Sequence, residues 1–220
     1  MTEDAPTPEP TPPPRKKKHF SMLRSFAPAD IITIGNAACG TASIFLCLSY
    51  LGNDLHRPYL WAAFGLLPAA LLFDALDGFV ARKTRRASVL GADLDSLADI
   101  VSFGVAPAVL AFTIGMRSVL DAVVLVYFVV CGISRLARYN VTAAELADDS
   151  GKVRYYEGTP IPTSLALVLA MAVAFGLNAT HDALWFGQVD LGPLTFHPLV
   201  LLFALSGSAM ISATLRIPKP

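Results

Sequence analysis

The sequence is poor in cysteine, histidine and charge. Its three cysteines, Cys39, Cys47 and Cys131, are scattered through apolar segments, and no CxxC pair occurs. An odd, dispersed set of this kind points to small core residues rather than to disulfides or a thiolate metal site. The four histidines, His19, His56, His181 and His197, form no HExxH pattern, which argues against a zinc enzyme. Charged residues make up 15% of the chain and cancel to a net charge of zero. A nucleic-acid binder carries a basic excess, so nucleic acid is not an expected partner. No repeat with a period of roughly 20–50 residues is visible, which leaves a solenoid or an inverted-repeat transporter without support.

What the chain has in abundance is apolar sequence. Hydrophobic residues make up 54% of it, and the mean hydropathy is +0.55. A soluble domain of this length does not need so much. Residues 1–27 stand apart: "APTPEPTPPPR" is too rich in proline to fold alone and reads as a disordered tail, and Arg15–Lys18 follow as a basic run. A polar stretch separates that run from the next apolar segment, so a cleaved signal peptide is not expected. The basic run instead predicts a cytoplasmic N-terminus in contact with anionic lipid.

The fold class expected is an all-α integral membrane protein, with a membrane domain over 28–217. Six segments reach the roughly 20 residues that a helix needs to cross a bilayer: 30–51, 59–82, 91–114, 118–140, 160–179 and 196–215. With both termini in the cytoplasm, all but Arg57 and Arg117 of the 17 lysines and arginines fall on the cytoplasmic side. The outer 180–195 loop has none. That asymmetry supports six spans, because a missed or false one would scramble it.

Against this background, four aspartates demand a reason. Asp74 and Asp77 are three residues apart and share a helix face, which Gly78 and Ala81 continue. Gly91, Asp95 and Asp99 recur every fourth residue on the next span. The short basic turn between the spans makes them an antiparallel hairpin, so all four carboxylates can meet near the cytoplasmic surface. Bare anions cannot share a pocket of low dielectric, since desolvation and mutual repulsion are too costly. Hard oxygen ligands suit Mg2+ or Mn2+, and paired ions held by carboxylates are a device for phosphoryl chemistry. The plainer reading has the aspartates capping helices or pairing with Arg82, Lys83, Arg85 and Arg86, which suits one aspartate better than four. Asp93 falls on nearly the opposite face and reads as a helix-dipole charge.

The stretch "DALDGFVARKTRRASVLGADLDSLAD" (74–99) matches D-x2-D-G-x2-A-R-x8-G-x3-D-x3-D, eight fixed residues in 26. It resembles the signature of the CDP-alcohol phosphotransferases, a family of six-span membrane enzymes. The resemblance implies that Asp74, Asp77 and Asp95 bind divalent metal and that Asp99 lies near a metal and acts as general base. It implies further that Gly78, Arg82 and Ser88 contact the CDP part of the donor, and that the protein is a homodimer. The residue types agree: Gly78 permits close approach of a nucleotide, Arg82 can pair with a diphosphate, and Asp99 can take a proton from an attacking alcohol.

"IITIGNAACG", "GADLDSLADIVSFGVAPA", "CGISRLARYNV" and "GTPIPT" are similar to the membrane-spanning phosphatidylserine synthases, which use CDP-diacylglycerol and L-serine. One departure is Asp93, where the resemblance leads one to expect Glu. Arg135 and Arg138, three residues apart near the end of the fourth span and followed by Asn140, suit an anion: the serine carboxylate or the donor phosphates. They also suit plain positive-inside anchoring. Asp30 and Thr33 resemble nucleotide-side contacts and equally an ordinary helix N-terminus. Glycerol 3-phosphate or an inositol phosphate remains an alternative acceptor, and an archaeal-type ether lipid an alternative donor. A divalent-cation transporter is the competing class. It would place carboxylates near the bilayer midplane rather than at one end of the spans. The expected site is the cell membrane, with the active site facing the cytoplasm.

Overall fold

The computed structural model describes residues 28–84, 89–142, 155–212 and 216–218. The expected tail, Ser88 and most of the 141–159 loop lie outside them. Helix α1 (Pro28–Gly52) buries Asp30, Thr33, Asn36, Gly40, Ser43, Cys47 and Tyr50, a stripe recurring every three or four residues. Ile31, Ile34, Phe45 and Leu48 face outward. Small and polar residues inside with aliphatic ones outside is the arrangement that a lipid surround favours.

A turn at Asn53–His56, with Asp54 and Leu55 at φ 47° and 56°, folds helix α2 (Arg57–Thr84) back along α1. Pro58 sits in the first turn of α2, where its missing N–H costs nothing. The third apolar segment runs on from α3 (Val89–Asp99) through a π-helical stretch, Ile100–Val105, into α4 (Ala106–Ile114). Pro107 explains the stretch. It offers no N–H to the Phe103 carbonyl, and its ring would crowd that carbonyl in a regular α-helix. The wider π turn, in which the Ala106 N–H reaches the Val101 carbonyl, relieves the crowding.

Helix α5 (Val119–Thr142) opens with a capping box. The Ser118 N–H donates to Asp121 Oδ2, and the Asp121 N–H donates to Ser118 Oγ, each at 3.1 Å.

Among the described residues, four helical stretches, Pro28–Gly52, Arg57–Lys83, Gly91–Ile114 and Val119–Val141, are long and apolar enough to cross a membrane. They mark a multi-pass membrane protein. The segments expected at 160–179 and 196–215 form shorter helices, Ile161–Gly176 and Pro198–Ile211. Each begins as a 3-10 turn and continues as α6 (Leu165–Gly176) or α7 (Leu201–Ile211). At ~1.5 Å per residue they reach about 24 and 21 Å, short of a hydrocarbon core of ~30 Å.

The all-α expectation needs one amendment, because two short antiparallel ribbons occupy expected loops. Tyr155–Glu157 (β1) pairs with Arg216–Pro218 (β4), and Val189–Leu191 (β2) pairs with Leu194–Phe196 (β3).

Arg57 and Arg117, the exceptions in the charge pattern, have structural work. Arg57 donates to the Phe175 carbonyl (2.9 Å) and to Asn178 (2.7 Å), closing the end of α6. Arg117 donates to the Phe112 and Thr113 carbonyls at the end of α4. Each guanidinium satisfies carbonyls that a helix C-terminus leaves open, and meets the negative end of its dipole. The apolar core, which includes Phe64, Phe103, Phe128, Phe175 and Phe203, draws on α1, α2, the π stretch, α4, α5, α6 and α7.

Candidate active site

The site is assembled where α1, α2 and α3 meet. The i, i+3 spacing on α2 and the i, i+4 spacing on α3 turn their aspartates toward each other. Asp74, Asp95 and Asp99 each offer a carboxylate oxygen, and these oxygens lie within 4.8 Å of one another. Asp77 is adjacent but turned aside. Its Oδ2 accepts from Thr33 Oγ1 at 2.6 Å, which ties α2 to α1. The charge of Asp77 still bears on Asp74 and Asp95. So three of the four expected carboxylates form a close group, and the fourth borders it. Asp93 is exposed and takes no part, as its helix face requires.

Three carboxylates this close repel one another unless a cation or protons intervene. Oδ1 of Asp95 is buried without a hydrogen-bond partner. An orphaned carboxylate oxygen within a group of hard donors fits a divalent cation of the Mg2+ or Mn2+ kind. Asp74, Asp95 and Asp99 could hold it, with Asp77 beside them.

Asp99 is the deepest member, 8% exposed, at the junction of α3 with the π stretch. Its Oδ1 accepts from Asn36 Nδ2 at 3.2 Å. Ser102, inside the π stretch, donates from Oγ to the Asn36 carbonyl at 2.9 Å. Gly40 lets these helices approach, for a Cβ there would lie 2.7 Å from Ser102 Cα.

A cavity of about 320 Å³ opens on the other side of the aspartates. Asp95, Asp99, Arg135, Tyr139, Asn140 and Pro160 are among its lining residues. The Arg135 guanidinium lies 5.7 Å from the centre of the Tyr139 ring, and its charge bears on Asp99. Asn140 and Ser96 exchange hydrogen bonds across the rim at 3.0–3.2 Å. Arg138 is exposed and is not part of this lining. On α2, Arg82 folds back over Gly78. Its Nη1 would be 3.4 Å from a Cβ at that glycine. Asp30 is buried in the first turn of α1, and its charge bears on Asp77.

A family model for CDP-alcohol phosphatidyltransferases matches residues 26–206, which takes in every element of this site. The chain belongs to the CDP-alcohol phosphatidyltransferase family. It is 47% identical over 210 residues to a CDP-diacylglycerol–serine O-phosphatidyltransferase of Saccharomyces cerevisiae, covering 92% of this chain and 74% of that protein. An enzyme of the same name from Methanocaldococcus jannaschii is 34% identical over 68% of the chain and 62% of its own length. An archaetidylserine synthase of Methanothermobacter thermautotrophicus is 37% identical over 63% and 54%.

In this CDP-alcohol phosphatidyltransferase, sequence reasoning missed Asn36, Ser96, Ser102 and Tyr139. Asn36 carried a signal. It lies three residues after Thr33, so it continues a polar stripe through an apolar helix. The contacts of Ser102 depend on the π register, and no spacing rule for an α-helix reaches them.

Proposed function

We propose that the protein is a membrane enzyme that transfers the phosphatidyl group of CDP-diacylglycerol to L-serine, giving phosphatidylserine and CMP. The observation that carries this reading is the position of Asp99. It belongs to the three-carboxylate group and also lines a cavity that holds a half-buried arginine and an amide. The names of the relatives supply the two substrates.

Serine enters the cavity with its carboxylate toward Arg135 and Asn140, and with Arg138 at the rim. Asp99 accepts the hydroxyl proton as the serine oxygen bonds to the phosphorus that bears the diacylglycerol. The bond from that phosphorus to the bridging oxygen of CMP breaks, and CMP leaves with the electron pair. Asn36 occupies Oδ1 of Asp99, so Oδ2 is the basic oxygen. Arg82 pairs with the donor diphosphate, and Gly78 leaves room for the nucleotide, with Asp30 and Thr33 on the same side; Ser88, outside the described residues, is a further contact to the CDP part. Asp74, Asp77, Asp95 and Asp99 would hold Mg2+ or Mn2+ as a pair of ions, which would supply charge neutralisation to the diphosphate and to the departing phosphate.

The reading includes six spans over 28–217, with the two short helices as the fifth and sixth. Both termini and the active site face the cytoplasm of a cell membrane, residues 1–27 form a tail, and the chain pairs as a homodimer. The likeness to an archaetidylserine synthase favours one second reading, an ether-lipid donor with the same serine chemistry.

The test is CMP release from purified protein in liposomes, with serine, glycerol 3-phosphate and inositol phosphate offered in turn against diacyl and ether-lipid donors. Serine-dependent release supports the proposal. Release with another acceptor alone, or divalent-cation flux without CDP-lipid, overturns it.

A further inference from the structure

The segment between α6 and α7 was expected to be an outer loop, and its structure shows what surface that loop presents. The hairpin β2–β3 is two-faced: Val189 opposes Phe196 and Leu191 opposes Leu194 on one face, and Asp190 opposes Thr195 on the other. Gln188 donates to Asp190 at 2.9 Å on the polar side. On the apolar face Phe196 packs against the core, while Leu191 and Leu194 overhang, 56% and 41% exposed. In the turn leading into the hairpin Phe186 is 76% exposed, although its φ of 68° is costly for a bulky residue. An aromatic held outward at that cost is poorly explained by contact with water alone.

Three further observations specify what covers this face. The first is position: Arg57 in the first turn of α2 closes the outer end of α6, and β3 leads directly through His197 into the helical stretch 198–211, so the hairpin begins level with the outer ends of the spanning helices.

The second is anchoring. His197, which follows β3, is bound through its backbone N–H and its Nδ1 to the carboxylate of Asp121, at 2.9 and 2.7 Å. Asp121 lies in the first turn of α5 and is fully buried, and β3 packs on α5. The hairpin therefore hangs from the outer end of a spanning helix. On that helix Val119, Val123 and Val126 are also exposed.

The third is composition. No lysine or arginine occurs from 155 to 215, and both tryptophans, Trp61 and Trp185, sit at this end of the molecule. Tryptophan favours the level of the lipid headgroups.

We propose that the β2–β3 hairpin and the Phe186 turn lie in the headgroup and upper-acyl region of the outer leaflet. The partner of this surface is lipid. The proposal rests on the topology given under Proposed function, but not on the chemistry assigned there.

The test uses the full chain in phosphatidylcholine vesicles. Trp61→Phe leaves Trp185 as the single tryptophan. Adding Trp185→Phe and Phe186→Trp moves the reporter to the exposed position. Spin-labelled lipids that quench near the headgroup or deep in the tails give its depth, and aqueous iodide gives its exposure to water. The expected result is blue-shifted emission, several-fold stronger quenching by the shallow label than by the deep one, and iodide quenching several-fold weaker than for a free tryptophan analogue. Iodide quenching equal to the free analogue, with no response to labelled lipid, places the hairpin in water and overturns the proposal. Blue-shifted emission that neither labelled lipid nor iodide affects means that protein covers the face, and also overturns it. Serine-dependent CMP release in the same vesicles reports separately on the catalytic reading.

Discussion

Asn36 Nδ2 donates to Oδ1 of Asp99 at 3.2 Å, linking the first helix to the carboxylate that faces the cavity across 63 positions of sequence. Asn36 is fully buried, and Ser102 holds its backbone from the π stretch that follows Asp99. The bond leaves one oxygen of Asp99 committed and the other available. Asn36→Ala removes a hydrogen bond to a charged group, a loss of about 1.5–3 kcal/mol, or roughly ten- to a hundredfold in kcat. The Michaelis constants for serine and donor are expected to change little. Steady-state kinetics checks this, and equal rises in both constants would point to general disruption instead.

Asp99→Asn is expected to abolish turnover while CDP-diacylglycerol binding survives. The amide keeps the shape of the side chain but cannot take a proton at neutral pH. Turnover and donor binding measured on the same purified protein decide the matter. Near-normal turnover would show that another group removes the hydroxyl proton.

Asp74 and Asp93 separate the two faces of the site. Asp74 belongs to the three-carboxylate group, and Asp93 is exposed outside it. Activity is expected to vanish on chelation and to return with Mg2+ or Mn2+. Asp74→Ala should raise the metal concentration needed far more than Asp93→Ala does. Titration of activity against each ion provides the comparison, and equal effects at the two positions would contradict the helix-face assignment.

Arg135 and Arg138 looked alike in sequence, but only Arg135 lines the cavity. Arg135→Ala should weaken a charge-assisted hydrogen bond by about 1.5–3 kcal/mol, raising the serine Michaelis constant roughly ten- to a hundredfold. Arg138→Ala should do much less. If the donor constant rises instead, Arg135 belongs to the phosphate site.

Gly40→Ala tests the close approach of α1 to the π stretch. The new methyl group would meet the Ser102 side chain and lie 2.7 Å from its Cα. Backbone cannot yield as a flexible side chain can, so α1 must shift and carry Asn36 with it. Loss of both thermal stability and kcat is expected. A fully stable, fully active variant would mean that this contact does not set the position of Asn36.

Several features were legible in the residues alone, because they depend on local periodicity and on solvent preference. A carboxylate in an apolar helix must face protein or water, so the spacing of Asp74, Asp77, Asp95 and Asp99 specified converging faces before any coordinates. The same logic gave the four long apolar helices and put Asp93 outside the site. What needed the tertiary structure depends on relations between segments. Whether Asp77 joins the other three carboxylates or turns to Thr33 is decided by how closely α1 packs on α2. Whether Arg135 or Arg138 reaches the cavity depends on the rotation of α5 against α3, which a spacing of three leaves open. The lengths of α6 and α7 depend on where a turn or an extended residue stops each helix, and hydropathy alone ran past both stops. Periodicity orients a side chain about its own helix axis, whereas distances between axes and helix ends are set by packing, and packing depends on all the segments at once.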